Sequence, residues 1–384
     1  MKTLIKNCHI ISDNLEIANG YIQIEDKLIV EVGAGAVDET DYEQIIDAEN
    51  SYACPGFIDI HTHGALGFHA GDGNLASLKK IAQDKLNEGV TTFCPSTVTM
   101  PEELLLQAMR AIKSYHANER FAKVAGVHLE GPFLNRNKLG GQNAKFVQAP
   151  NIEFVKKLQA IYEISIVSFA PEVDGGLEFT AQLHELGIIA ACAHSAANYR
   201  DIQQAKQRGL NHLTHFCNQM TALHHRDVGA VGAGLLDDQL SAELICDKIH
   251  LCPEMIKLIF KCKSLSTLML ITDSNYLRGL PDGEYELRGL RNVLRDGKIW
   301  VGDTNTLGGS GLKYNIGFKN VAEITGLPLK DLIKTTSLNQ AHKLGLKNLG
   351  KLEAGFIADI ILLDREFNVN QVFIDGLQRR GSSQ

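Results

Sequence analysis

Long apolar runs are missing from this chain of 384 residues: stretches such as Ile360 to Leu363 stop well short of the ~20 residues that span a bilayer. No apolar leader opens it either, because Lys2, Lys6 and Asn7 interrupt the first ten residues, so no secretory signal peptide is expected. A basic excess is also lacking. Lys and Arg number 38 against 45 Asp and Glu, a net charge of −7, which speaks against a nucleic-acid groove as the main purpose. The eight cysteines include no CxxC pair, and Cys94, Cys192 and Cys246 sit inside apolar stretches. They read as buried free thiols of a reducing compartment, hence a cytoplasmic location. Internal repeats and low-complexity tracts are absent apart from the polar tail Arg379 to Gln384, which is expected to fray.

What remains is a chain with 44% hydrophobic residues, enough for a large core. Its first fifty residues alternate as short strands, Ile5 to Ile11, Gly20 to Ile24 and Leu28 to Val32. From Phe57 onward apolar strands alternate with amphipathic helices. Eight strands are predicted: 57–61, 90–94, 124–129, 165–169, 188–193, 212–215, 242–246 and 268–272. Helices are predicted at 75–86, 102–115, 177–186, 312–324 and 329–344, a β-hairpin insertion at 287–301, and returning strands at 358–363 and 371–374. The expected class is α/β: a (β/α)8 TIM-like barrel over 54–347, with a small β-sandwich domain formed from both chain termini, 1–53 and 348–384.

Catalytic groups of such a barrel come from the C-terminal ends of its strands. Those ends carry His61-Thr62-His63, His128-Leu129-Glu130, His194-Ser195, His215 and Asp273. Imidazoles and carboxylates converging from five strand ends form a donor set for zinc, iron or manganese. His61 and His63, two residues apart, are expected on one face of their strand. Seven further histidines (His9, His69, His116, His184, His224, His225, His342) and His212 have no such placement and read as surface, loop or helix residues. Arg226, beside Asp227, reads either as a surface ion pair or as a fork for an anionic substrate.

Pro55-Gly-Phe-Ile-Asp59 running into His61-Thr62-His63, and Gly350-Lys-Leu-Glu-Ala-Gly355 with Ala358-Asp359, resemble the opening and closing signatures of the amidohydrolase superfamily. More narrowly, His128-Leu-Glu-Gly-Pro132, Ala193-His194-Ser195, Thr214-His215 with Asn218 and Met220, and Thr272-Asp273 resemble the N-acetylglucosamine-6-phosphate deacetylases. The likeness covers almost the whole chain. The fourth strand holds no lysine, which sets it apart from relatives that use a carboxylated lysine there.

The resemblance implies a deacetylase of an N-acetylhexosamine phosphate. Glu130, His194 and His215 would hold the main metal; His61 and His63, with Glu130 bridging and Asp273 nearby, a second. Asp273 would be the general base and acid. Asn218, Arg226 and His250 would meet the sugar phosphate, with Gln219, Gln142 and Leu307 on the same side, and a neighbouring subunit would complete the pocket of a homodimer. Gln142 stands where the family has a carbonyl-polarising histidine, and could still donate a hydrogen bond to the developing oxyanion. Gln219 and Ser274-Asn275-Tyr276 depart from the pattern as well. These departures line the substrate side and leave N-acetylgalactosamine 6-phosphate, an N-acyl amino acid or a cyclic amide as alternative substrates. A sugar-phosphate binder without catalysis is a third class, disfavoured because it has no use for Asp273.

Overall fold

The computed structural model describes residues 1–287, 289–302, 304 and 306–381. At its centre stand eight parallel ring strands: Phe57–Thr62, Val90–Pro95, a third broken into Lys123–Val124 and Val127–Glu130, Ile164–Phe169, Ile189–Cys192, His212–Leu213, Ser241–Ile245 and Leu268–Ile271. Strands three to eight pair in sequence order, and strand two lies between strand one and the first half of strand three. Single parallel bridges, Thr62 with Ser274 and Ser96 with His128, join the two arcs into a closed ring.

The strands are buried on both faces because helices cover the outside and side chains fill the inside. Ile166 and Ile245 belong to the inner cluster, while Val167, Phe169 and Leu244 pack outward against the helices, following the two-residue period. Above the apolar floor of the ring the inward positions turn polar. There Ser168 hydrogen-bonds both His128 and Thr214, and His212 bonds Glu243, whose Oε1 lies 3.8 Å from His128 Nδ1.

Two local irregularities position the chemistry. Strand one pairs irregularly with strand two between Asp59 and Thr62. Asp59 therefore bonds Lys85 of the helix Leu75–Leu86, at 2.9 Å, while His61 turns into the ring. Strand three breaks at Gly126, whose φ is +92°, and a Cβ there would stand 1.9 Å from Ser165 Oγ. Only glycine passes at that point.

Both termini enter one eight-stranded sheet. Its order runs Leu377–Arg380, Val369–Ile374, Ile360–Leu363, Tyr52–Pro55, Lys2–Ser12, Leu15–Glu25, Leu28–Ala34, with Gln44–Asp47 pairing parallel to Lys2–Ser12. Ile5, Ile10, Ile22, Ala53, Leu362 and Phe373 form a core of its own.

Three expectations are corrected. The hairpin at 287–301 is a three-stranded meander, Gly283–Leu287, Leu290–Arg295 and Lys298–Val301. Arg288, inside that prediction, lies outside the described residues. The continuous helix at 329–344 is two short helices, Leu329–Leu332 and Leu338–Lys343, around a 3-10 turn at Ile333–Thr336. The Thr335 and Thr336 hydroxyls bond back to the carbonyls of Leu332 and Ile333, which favours the tighter turn. The tail does not fray from Arg379, since Leu377–Arg380 is a paired strand; residues 382–384 lie outside the described residues.

Candidate metal centre and substrate pocket

The strand ends bring the predicted ligands together. Glu130 Oε1 lies 3.1 Å from Nε2 of both His194 and His215, and those two nitrogens are 3.2 Å apart. Beside this group, His61 and His63 face each other Nε2 to Nε2 at 3.3 Å. Asp273 Oδ1 stands 3.1 Å from His63 Nε2 and 3.7 Å from His61 Nε2. Glu130 reaches both groups, with its Oε2 3.5 Å from His63 Nε2. His194, His215 and Asp273 all sit at positive φ, 46°, 31° and 46°, where the chain turns sharply out of the ring. That uncommon backbone aims three side chains inward from neighbouring strand ends.

Proton placement tests whether a cation fits. His63 Nδ1 meets the Ser96 carbonyl at 3.2 Å and His194 Nδ1 meets the Lys138 carbonyl at 2.8 Å. A carbonyl only accepts, so each Nδ1 carries the proton and each Nε2 presents a bare lone pair to the centre. His61 does the same, donating from Nδ1 to Glu243 Oε2 at 2.9 Å. The His61 and His63 lone pairs, facing each other at 3.3 Å, repel unless a proton or a metal cation lies between them. His215, whose Nδ1 has no hydrogen-bond partner among the described residues, stands with its Nε2 3.2 Å from that of His194. Nitrogens about 2.0–2.1 Å from one zinc stand about 2.9–3.4 Å apart, the spacing seen in both pairs. The donor set contains no thiolate and suits a divalent zinc, iron or manganese.

The electrostatics agree. Burial alone would push Glu130 up, yet His194, His215 and His61 hold it well below the usual carboxylate range. Asp273 is likewise lowered against its burial, by His61 and His63. His61 would be depressed by burial, but Glu243, Asp273 and Glu130 raise it to about 10. Buried carboxylates that raise their imidazoles are calling for positive charge, which protons or metal ions can provide. His128 shows the contrast. Its Nδ1 donates to the Ile60 carbonyl, its Nε2 accepts from Ser168, and burial depresses it to about 3, so it stays neutral beneath the centre.

The centre floors a cavity of about 300 Å³. Asn218, Gln219, His250, Leu307 and Gln142, all named from the sequence, line it. His250 is fixed by Asp247, 2.6 Å from its Nδ1. Arg226 is not brought in: it is exposed and bonds its neighbour His225 at 2.9 Å. Gln142 is placed differently from its expected oxyanion role. Its Nε2 donates to Glu130 Oε2 at 2.5 Å, and its carbonyl accepts from the Thr99 backbone at 2.7 Å.

Sequence reasoning missed Glu243 and misjudged two histidines. Glu243 is fully buried in the middle of strand seven. Its available signal was one charged residue inside an apolar strand. His212, taken for a surface or helix residue, is fully buried and bonds Glu243 Oε1 at 3.0 Å. His69, also taken as peripheral, is 3% exposed and lines the cavity.

Comparison with known proteins places this geometry. The amidohydrolase family profile matches residues 52–378. An N-acetylglucosamine-6-phosphate deacetylase of Bacillus subtilis is 35% identical over 373 residues, 95% of this chain and 94% of that protein. An N-acetylgalactosamine-6-phosphate deacetylase of Escherichia coli O157:H7 is 32% identical over 366 residues, 94% and 93%. Among solved structures, a mutant N-acetyl-D-glucosamine-6-phosphate deacetylase of Mycobacterium smegmatis in complex with N-acetyl-D-glucosamine-6-phosphate superposes with a TM-score of 0.91 at 27% identity, covering 99% of both chains. The Thermotoga maritima N-acetylglucosamine-6-phosphate deacetylase superposes at 0.88 with 31% identity, covering 99% of this chain and all of that one. Sequence and fold thus match these relatives over nearly full length: the chain belongs to the N-acetylglucosamine-6-phosphate deacetylase family of the amidohydrolase superfamily.

Proposed function

We propose that the protein hydrolyses the N-acetyl group of N-acetylglucosamine 6-phosphate to glucosamine 6-phosphate and acetate. The observation that carries this reading is the convergence of Glu130, His194 and His215 at 3.1–3.2 Å, with Asp273 beside them on the cavity floor. Glu130, His194 and His215 would hold the main ion, and His61, His63 and Asp273 a second. When bound, a divalent ion lowers the pKa of a water towards ~7 and polarises a carbonyl oxygen. Asp273, kept ionised by its imidazole neighbours, accepts the proton of the attacking water and delivers it to the departing amine nitrogen. Asn218, Gln219, His250 and Leu307 hold the sugar against the floor.

Arg226 points to a homodimer. It lies outside its own cavity in an exposed loop with Leu223, 49% exposed, so a second copy is the natural user of its guanidinium for a phosphate. A cytoplasmic setting suits eight free cysteines and this metabolite class. Among the described residues no helix is long and apolar enough to cross a membrane.

A panel containing N-acetylglucosamine 6-phosphate, N-acetylgalactosamine 6-phosphate, both unphosphorylated sugars and N-acyl amino acids, read by amine release, tests the assignment. Fastest release from the first compound supports it. Fastest release from the galactosamine epimer would favour the second reading, which the E. coli O157:H7 relative motivates. No release from any phosphosugar would end both.

A further inference from the structure

Glu243 lies under the metal groups and is not itself a lining residue of the cavity. Its two carboxylate oxygens have separate tasks. Oε1 accepts from His212 Nε2 at 3.0 Å, and His212 Nδ1 in turn meets Ser241 Oγ at 2.7 Å. Oε2 accepts twice: from His61 Nδ1 at 2.9 Å and from the backbone N–H of His215 at 3.0 Å. His61 belongs to the group with His63 and Asp273, and His215 to the group with Glu130 and His194. One oxygen atom therefore holds a ligand of each group.

The two bonds do different work. On His61, the bond fixes the tautomer, leaving Nε2 bare and aimed at the centre. On His215, it pins a backbone at φ +31°, which a non-glycine residue adopts only when its surroundings hold it there. His215 Nδ1 has no hydrogen-bond partner among the described residues, so the side chain itself offers no outer anchor. Its orientation depends on the backbone that Glu243 grips.

We infer that Glu243 is a positioning residue for both metal groups, setting the affinity of each through the two hydrogen bonds to a single carboxylate oxygen. This rests on the metal reading above. Its partner His212 acts at one remove, keeping the carboxylate from rotating.

Two substitutions separate bonds from charge. Glu243→Gln is neutral but can place its carbonyl where Oε2 stands and turn its amide toward His212, which then accepts at Nε2 and donates from Nδ1 to Ser241. Glu243→Asp keeps the charge and withdraws the oxygen by one methylene. Zn2+ is titrated into metal-free wild type and both variants by chelator competition, with the thermal midpoint of each metal-free protein recorded alongside. The expected order is wild type, then Gln within about tenfold, then Asp weaker by ~10–100-fold for the first and the second equivalent. The reverse order, Asp tighter than Gln, would show that Glu243 acts through charge and overturn the inference. So would Asp binding both equivalents like wild type, or weakening only one. A lowered midpoint with unchanged zinc affinity marks a merely structural residue and overturns it too. Failure of wild type to bind zinc at all would instead defeat the metal reading beneath it.

Discussion

The six side chains of the two metal groups, from His61 to Asp273, are each at most 7% exposed, and three of the four histidines among them have an outer hydrogen-bond partner fixing them. The wall is held otherwise. Asn218, Gln219 and Leu307 are half-buried, and the Asn218 side chain bonds only to carbonyls of its own turn, at 3.3 and 3.5 Å. A floor locked from behind tolerates little change, because moving one ligand unsettles a buried charge network. A wall of lightly held side chains can be retuned one residue at a time. Reaction and substrate preference thus reside in different mechanical environments of one cavity.

The largest test of that contrast attacks the floor where both metal groups meet. Glu130→Gln is expected to lose most bound metal by elemental analysis and to lower kcat by more than about 10³. Wild-type metal content with full activity would remove the floor from the chemistry. Asp273→Asn comes next: KM close to wild type and kcat down by ~10²–10⁴, the usual worth of a positioned acid and base. A variant that turns over normally would assign the proton transfer to another group.

Wall substitutions should discriminate between substrates rather than abolish turnover. Arg226→Ala, in the exposed loop that a second copy would use, should reduce kcat/KM for the phosphosugar by more than about thirtyfold, from a charge pair of ~2–5 kcal/mol buried across the proposed dimer, and leave hydrolysis of the unphosphorylated sugar unchanged. Equal loss on both substrates would place Arg226 in the scaffold. Gln142 straddles the boundary, lining the cavity while clamping Glu130 Oε2. Gln142→Leu should lower kcat/KM by about tenfold, one hydrogen bond to a charged group, on phosphorylated and unphosphorylated sugars alike. A loss confined to one sugar would return it to the wall. The smallest effect concerns the thiols. Cys252 and Cys262 are exposed and should alkylate first, whereas burial pushes the Cys8 and Cys217 thiols up to about 12 and both should lag behind in a mass-spectrometric time course. Early labelling of Cys8 would mean that the terminal sheet opens readily.

The floor was legible in the sequence because polar residues that end apolar strands stand out against the core they leave. Helix Leu75–Leu86 was legible from its apolar face at helical spacing, and the structure adds Asn74 as its N-cap. Glu243 was not, since it sits mid-strand, where a buried carboxylate survives by finding partners on distant strands. His212 was misplaced with it, because a histidine's burial depends on the partner it meets. The inward turn of His61 rests on a pairing irregularity between strands, which no spacing along one strand encodes. The break after Leu332 had a local signal, the pair Thr335-Thr336, whose hydroxyls compete for helix carbonyls.

The pairing of Tyr52–Pro55 with Ile360–Leu363 also sets a timetable. On the ribosome the first of these strands emerges about 300 residues before its partner, a wait of roughly 15–60 s at bacterial and eukaryotic elongation speeds. Through that interval a row of unpaired amides stands open beside a finished or half-finished ring, ready to recruit the wrong neighbour. A nascent chain released early would keep its reactive floor and yet carry a permanently sticky margin. That margin closes only when Ile360–Leu363 arrives to pair with it.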